Sequence, residues 1–397
     1  MKILQINSVC GIGSTGRIAT DLYKVLEEQG HECLIAYGRG TAPEGINSYK
    51  IGTNLDNYLH VARTRLLDQH GYGSKKPTIE LVKKIKEYNP DVIHLHNLHG
   101  YYLNLEVLFN YLAESNKPVV WTLHDCWTFT GHCANFDYIG CDKWKSECRN
   151  CPQKKTYPNS YVSDNSYQNF NQKKELFTRL NNLTIITPSQ WLANLVKESF
   201  LNKYPIQVIN NGIDLNVFKP TPSEFRKKYH LEEKKIILGV ANVWDDRKGL
   251  DTFIGLSSKL NDNYQIVLVG VTEKQKNNFR SNIIGIKRTN NIKELAEIYS
   301  SADVFVNPTL DDNFPTVNLE SIACGTPVIT FDTGGSPESL TIKCGSVVEK
   351  RNIKLLIDTI DEMITSNSID NKECLKQSKK YNKYDKFVEY IEIYGML

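Results

Sequence analysis

The chain has 397 residues, enough for two domains with their own cores and for stability without covalent staples. Its 48 Lys and Arg against 45 Asp and Glu leave a net charge of +3, which gives no basis for nucleic acid as a partner. No run of about 18 apolar residues is present, so no segment reads as a spanning helix. The opening residues 1–7 read as a strand rather than a signal peptide, because the apolar part is short and no cleavage site follows. A cytosolic chain is expected, whose ten cysteines are thiols or metal ligands.

In chain order, residues 3–9 read as a strand. The glycine-rich turn Gly11-Ile12-Gly13-Ser14-Thr15-Gly16 follows, then a helix with Ile18, Leu22, Val25 and Leu26 on one stripe, ending at Gly30. A strand over 33–37 completes the usual start of a doubly wound sheet. The G-x-G-x-x-G spacing lacks an acid at the end of that second strand. Gly13 and Gly16 are therefore expected in a close-approach loop facing a phosphate or an acceptor, not in a dinucleotide fingerprint. Helices are expected over 55–67, 79–88 and 103–113, and buried strands over 91–96 and 119–123. Those strands end in His94, His96, Asn97 and His99, and in His124 and Asp125. Ligands in open α/β sheets bind beyond such carboxyl ends. His94 and His96 read as hydrogen-bonded inside the sheet, His124 as functional.

Cys133, Cys141, Cys148 and Cys151 fall within nineteen residues that show neither helix nor strand periodicity. A Cys-x2-Cys pair with two further thiols is the spacing of a closed structural zinc site, with Cys126 and His132 as spare ligands. Disulfides are the competing reading. Zinc here would replace an apolar core and brace the loop after His124, without catalysing.

Strands over 184–187 and 206–209, with a helix over 190–199 between them, lead to Asn210-Asn211-Gly212-Ile213-Asp214. A second α/β rhythm follows, with strands over 236–240, 266–270 and 304–307. Two Rossmann-like domains are expected, 1–210 with the cysteine-rich insert 126–153, and 211–380. A last amphipathic helix within 381–397 carries Phe387, Tyr390, Ile391 and Tyr394 on one face.

Residues 307–338 read as a strand end, an acidic loop, a short helix, a buried strand and a Gly-Gly turn. Pro315 suits the first turn of a helix that runs to about Cys324 and stops at Gly325. Such a helix start would aim unpaired N–H groups of Thr316 and Val317 at the loop, making an anion site. Asp312 and Glu320 bracket it with seven residues between them. An anion site beside two carboxylates suits a ligand with phosphates and hydroxyls, such as a nucleotide sugar.

Asp312 through Glu320, followed by Ala323-Cys324-Gly325-Thr326-Pro327-Val328, resembles the acid-x7-acid signature of family 4 glycosyltransferases. These are retaining enzymes of the GT-B fold. The resemblance implies an α/β chain with two Rossmann-like domains facing a central cleft and a C-terminal helix crossing back to the first domain. It also implies roles. Lys248 would contact the donor diphosphate, with Arg247 the nearest substitute for a companion arginine whose place is taken by Asn242. Glu320 would bind ribose hydroxyls and Asp312 the donor sugar, while Asn313, Phe314, Thr316 and Val317 form the donor loop. Gly334, Gly335 and Glu338 match the closing Gly-Gly-x-x-Glu pattern, which brings backbone near the ligand. His124 would lie near the donor sugar, and the loop of Gly13 and Gly16 would abut the diphosphate and the acceptor. Asp312 stands where Glu is usual, and Pro315 where Gly is common.

No acid is placed as the covalent nucleophile of a retaining glycosidase. The resemblance implies front-face substitution, with the leaving phosphate taking the acceptor's proton. Lysine and helix ends make a catalytic metal at Asp245-Asp246 or Asp311-Asp312 unnecessary. The function the resemblance implies is transfer from a nucleoside-diphosphate sugar to a glycan, lipid-linked as in many relatives, in surface-polysaccharide biosynthesis. No catalytic cofactor is expected, only the structural zinc. The expected setting is the cytoplasm, with loose contact at the inner face of the membrane. The rival readings are a nucleotide-sugar epimerase on the same fold and a zinc-braced nucleic-acid-binding module, which lacks a basic stripe.

Overall fold

The structure, a computed structural model, describes residues 1–366 and 370–397. The chain divides into two compact units, Met1–Asn210 with Phe387–Leu397, and Asn211–Lys386. In the first unit the strands are β1 (Lys2–Val9), β2 (Glu32–Arg39), β3 (Ser48–Lys50), β4 (Val92–Leu95), β5 (Val119–Thr122), β6 (Leu183–Thr187) and β7 (Ile206–Val208). They form one parallel sheet in the order β3-β2-β1-β4-β5-β6-β7. Every residue of β4 and β5 is buried, as strands covered by helices on both faces require. The C-terminal Phe387, Tyr390, Ile393 and Tyr394 join the core formed by Leu22, Leu26 and Ile35. Tyr394 also bonds His94 Nδ1 through its hydroxyl at 2.7 Å.

The second unit holds β8 (Lys235–Val240), β9 (Tyr264–Val269), β10 (Ile283–Ile286), β11 (Val304–Asn307), β12 (Val328–Phe331) and β13 (Gly345–Val348), all parallel in the order β10-β9-β8-β11-β12-β13. Its two ends meet at a backbone crossing. Ile213 N–H donates to Tyr381 O at 2.7 Å, and Lys383 N–H donates to Ile213 O at 3.0 Å. A Cβ on Gly212 would stand 2.4 Å from Lys383 Cα, so this crossing requires glycine. Lys383 also pairs with Asp214 at 2.8 Å.

Several boundaries differ from the sequence reading. The first helix spans Gly13–Glu28 and so begins inside the glycine-rich turn. Gly16 allows this, since a Cβ there would press on Val9 at 3.1 Å and on Gly11 N at 3.2 Å. The strands β3, β10 and β13 and the helices Ser166–Phe177, Ile353–Thr365 and Asn371–Ser378 add to the elements read from periodicity. No helix among the described residues is long and apolar enough to cross a membrane.

Candidate active site

In the second unit, two loops beyond the strand ends are laced together. Leu310 N–H donates to Arg247 O at 2.8 Å, and Arg247 Nη1 donates to Asp311 O at 2.7 Å. Gly249, at φ +78°, lies so close that a Cβ would stand 2.3 Å from Pro308 O. Asp245 caps the short turn Asp246–Lys248 by accepting from Lys248 N–H at 2.9 Å. The turn therefore has a fixed direction. Lys248 projects from it into an ion pair with Asp312, and their side chains are only 25% and 17% exposed.

Asp312 is held from two further sides. Its Oδ1 accepts from Asn313 N–H at 2.9 Å, and its carbonyl accepts from Gly335 N–H at 3.2 Å. Gly334, at φ +54°, would place a Cβ 1.8 Å from that same carbonyl oxygen, so no side chain fits. Phe314 is buried, and its carbonyl accepts from Asn211 Nδ2 at 3.1 Å.

Pro315, at φ −69° and ψ 118°, is the N-cap of the helix Thr316–Ala323 and not its first residue. Its extended ψ steers the chain into the helix without adding a helical unit. The N–H groups of half-buried Thr316 and Val317 lie in the first turn, where a helix supplies no partner.

Further along this helix, Glu320 accepts through Oε2 from the Tyr299 hydroxyl at 2.9 Å. Burial and the adjacent carboxylate push Tyr299 well above the ordinary phenol range, so it stays a donor. Asn318, fully buried, accepts from Asn307 Nδ2 at 2.9 Å and donates to the Ser336 and Ser339 hydroxyls at 3.1 Å each. Glu338 follows the glycine pair, its carbonyl accepting from Tyr381 at 3.2 Å. Tyr299 and Asn318 escaped the sequence reading. An amide on the apolar face of the motif helix was a visible signal for Asn318. Nothing local marked Tyr299, which lies in the preceding helix Ile292–Ser301.

His124, Gly13 and Gly16 belong to the first unit, the other expected catalytic and donor residues to the second. Gly13 has φ +66°, and Asn7 Nδ2 ties its turn by donating to Val9 O at 2.9 Å and Thr15 O at 3.1 Å. His96 Nε2 meets Gln5 Oε1 at 3.0 Å and must donate to it. Its Nδ1 therefore accepts from His124 Nε2, 3.2 Å away. The stacked rings lie 5.5 Å apart. His94 is satisfied by Thr122 at 2.8 Å and by Tyr394. Burial lowers His94 to about 3, His124 to about 4 and His96 well below its ordinary range, so all three are neutral imidazoles near pH 7. Beside them His99 bridges Asp125 at 2.7 Å and Tyr157 at 2.9 Å.

The cysteine-rich insert corrects one expectation, because it has an apolar core. Trp144 is 2% exposed and stacks on Phe136 with centroids 5.0 Å apart, while Phe129 packs 5.2 Å away. All ten cysteines are free thiols. Cys133, Cys141, Cys148 and Cys151 line one small cavity. No three His, Cys, Asp or Glu among the described residues stand gathered as a metal cage.

The helix Asn54–Leu67 is inside out. Its inward stripe is polar: Asn57 donates to Gly38 O at 3.0 Å, and His60 Nε2 accepts from Gly71 N–H at 3.2 Å. Its outward stripe carries Leu55, Tyr58, Leu59 and Leu66, each more than half exposed, with Arg63 and Arg65 alongside. Tyr161 and Val162, also exposed, adjoin its end through Tyr161 N–H donating to Arg65 O at 2.8 Å.

Comparison with known proteins decides among the readings. Residues 15–217 match Glycosyltransferase Family 4, and residues 222–384 match Glycosyl transferases group 1. The chain belongs to glycosyltransferase family 4. As a glycosyltransferase it is neither of the rival readings, the epimerase or the nucleic-acid-binding module. It is 27% identical over 372 residues to WcaC of Escherichia coli K12, whose name places it in colanic acid biosynthesis as a glycosyl transferase; the match covers 90% of this chain and 89% of WcaC. Among solved structures it resembles sucrose-phosphate synthase from Thermosynechococcus elongatus, with a TM-score of 0.73 at 16% identity over 100% of this chain and 98% of the other. Anabaena HepE in complex with UDP-glucose gives 0.69 at 15% identity over 100% of both chains. The fold of this family 4 member is GT-B.

Proposed function

We propose that this glycosyltransferase uses a nucleoside-diphosphate sugar, retains the anomeric configuration, needs no catalytic metal, and extends a lipid-linked glycan in surface-polysaccharide biosynthesis. The observation that carries the donor assignment is the Lys248–Asp312 pair beside the start of the helix Thr316–Ala323, with Glu320 held by Tyr299 on that helix. An arriving diphosphate would replace Asp312 as partner of the ammonium, and the helix N-terminus would add first-turn N–H donors. Asp312 would then be free to accept from sugar hydroxyls. The second oxygen of Glu320 would accept from ribose. A fixed cation at the leaving phosphate is what front-face substitution requires, and the departing oxygen itself takes the acceptor's proton. His124 and the turn of Gly13 and Gly16 are assigned to the donor sugar and acceptor by family resemblance alone.

The relatives support this in kind, since HepE is seen in complex with UDP-glucose and WcaC is named for colanic acid biosynthesis. The outward apolar stripe of Asn54–Leu67, rimmed by arginines, suits an anionic lipid surface and supports a lipid-linked acceptor at the inner face of the membrane.

Incubation with UDP-, GDP- and ADP-sugars in EDTA, without acceptor, tests the core of the proposal through slow donor hydrolysis. One donor should release nucleoside diphosphate at an undiminished rate, with the first sugar anomer matching the donor by NMR. Inversion, or release only on adding a divalent metal, would overturn it.

A further inference from the structure

Glycosyl transfer leaves unexplained a buried polar cluster in the cysteine-rich insert. Cys133, Cys141, Cys148 and Cys151 line a cavity of about 10 Å³, room for one water-sized particle. Two buried nitrogens on the same cavity, His132 Nε2 and the indole N–H of Trp144, have no hydrogen-bond partner. His132 is completely enclosed, and its Nδ1 is held by Asp68 at 2.5 Å. Lys173 is 1% exposed and has no ion-pair partner among the described residues. Its ammonium rests on the Trp127 ring and on the carbonyls of Trp127 and Thr130, at 2.7 and 3.1 Å. Burial lowers its pKa to about 7, and a negative group beside it would hold the ammonium charged.

The backbone is also prepared for sulfur anions. Gly131 N–H donates to the Cys148 sulfur, and Gln153 N–H donates to that of Cys151. A Cβ on Gly131 would lie 2.7 Å from Cys148 Cβ, so glycine permits the approach.

We propose that Cys133, Cys141, Cys148 and Cys151 close on one zinc ion as four thiolates, with Trp144 donating to a bound sulfur and Lys173 balancing their charge. Four thiolates around a divalent ion carry two net negative charges, which supply a partner for the lysine and an acceptor for the orphaned indole N–H. Cys133 and Cys151 hydrogen-bond to each other, and among the described residues no three ligating groups stand gathered as a cage. Binding releases their protons and turns the sulfurs inward. Phe129, Phe136 and Trp144 give the insert an apolar core of its own, so the ion would clip a packed loop and would not stand in for a core.

The test uses the full-length protein purified without added metal or chelator. Elemental analysis should find about one zinc per chain. A mercurial should release it in step with thiol modification, and cobalt exchange should give the intense charge-transfer absorption of tetrahedral thiolate ligation. Cys148→Ser and Cys151→Ser should each lose the metal while nucleoside-diphosphate binding persists, which separates this proposal from the donor assignment. His132→Gln should keep it. No zinc with four freely titrating thiols would overturn the proposal. So would loss of metal from His132→Gln, which would make the histidine a ligand, or oxygen-rich cobalt spectra. Should the serine variants fail to fold, the wild-type metal content and cobalt spectrum decide alone.

Discussion

The two units build on similar parallel sheets yet line their strand ends with opposite chemistry. In the first, His94, His96 and His124 are neutral and bonded to Gln5, Thr122, Tyr394 and one another. In the second, the corresponding region carries fixed charge, with Lys248 paired to Asp312 and Glu320 steadied by Tyr299. Eight of the nine histidines lie in the first unit, and His230 is the exception. The topology provides a place for ligands, and the residues at the strand ends decide whether it meets them with neutral donors or with charge.

Acid should separate the units most. A histidine whose folded pKa is depressed binds fewer protons than in the unfolded chain, so its contribution to stability is complete above about 6.5 and declines as pH falls toward the folded value. With folded values of about 3 for His94 and about 4 for His124, each should cost about 2 kcal/mol at pH 5 relative to pH 7, a figure set mainly by the unfolded pKa. His132, raised by Asp68 against the lowering effect of burial, opposes this in part. Hydrogen exchange at pH 5 and 7, corrected for intrinsic rates, should show protection lost over β4 and β5 and kept over β11 and β12. Equal loss in both units would dissolve the comparison.

Removing the fixed charge comes next. Lys248→Ala should lower the transfer rate by about 10² or more while leaving the melting temperature nearly unchanged, because its partner Asp312 is still held by Asn313 and Gly335. A variant with near wild-type turnover would take Lys248 out of the chemistry. Tyr299→Phe should be milder, weakening nucleoside-diphosphate binding by about 1 kcal/mol through a less firmly placed Glu320. Comparing ribose with 2′-deoxyribose nucleotides sharpens this, since the variant should discriminate less between them. The smallest effect belongs to the outward face of Asn54–Leu67. Leu55→Ser with Leu59→Ser should reduce sedimentation with anionic vesicles several-fold and leave donor hydrolysis intact. Unaltered sedimentation would remove this helix from any membrane contact.

The sequence made legible what is local. The spacing from Asp312 to Glu320 and the Gly334-Gly335 turn are close neighbours in the chain, and short, nearly continuous apolar runs announced the central strands. Contacts between distant residues were not legible. Lys248 and Asp312 meet across two loops, and Tyr299 reaches Glu320 from another helix. The helix Asn54–Leu67 was visible as an element, but its orientation was not, because its buried stripe is the polar one. The insert's core escaped for a different reason. Phe136 and Trp144 sit in short irregular turns, where no period reveals which side chains face inward.

Calorimetric titration with UDP, GDP and ADP, on the wild type and on Glu320→Gln and Lys248→Ala, tests the central claim most directly. One nucleoside diphosphate should bind the wild type without added metal, and each substitution should weaken it at least several-fold. The same affinity in all three proteins, or binding of none of the nucleotides, would contradict the assignment of the charged region in the second unit as the donor site.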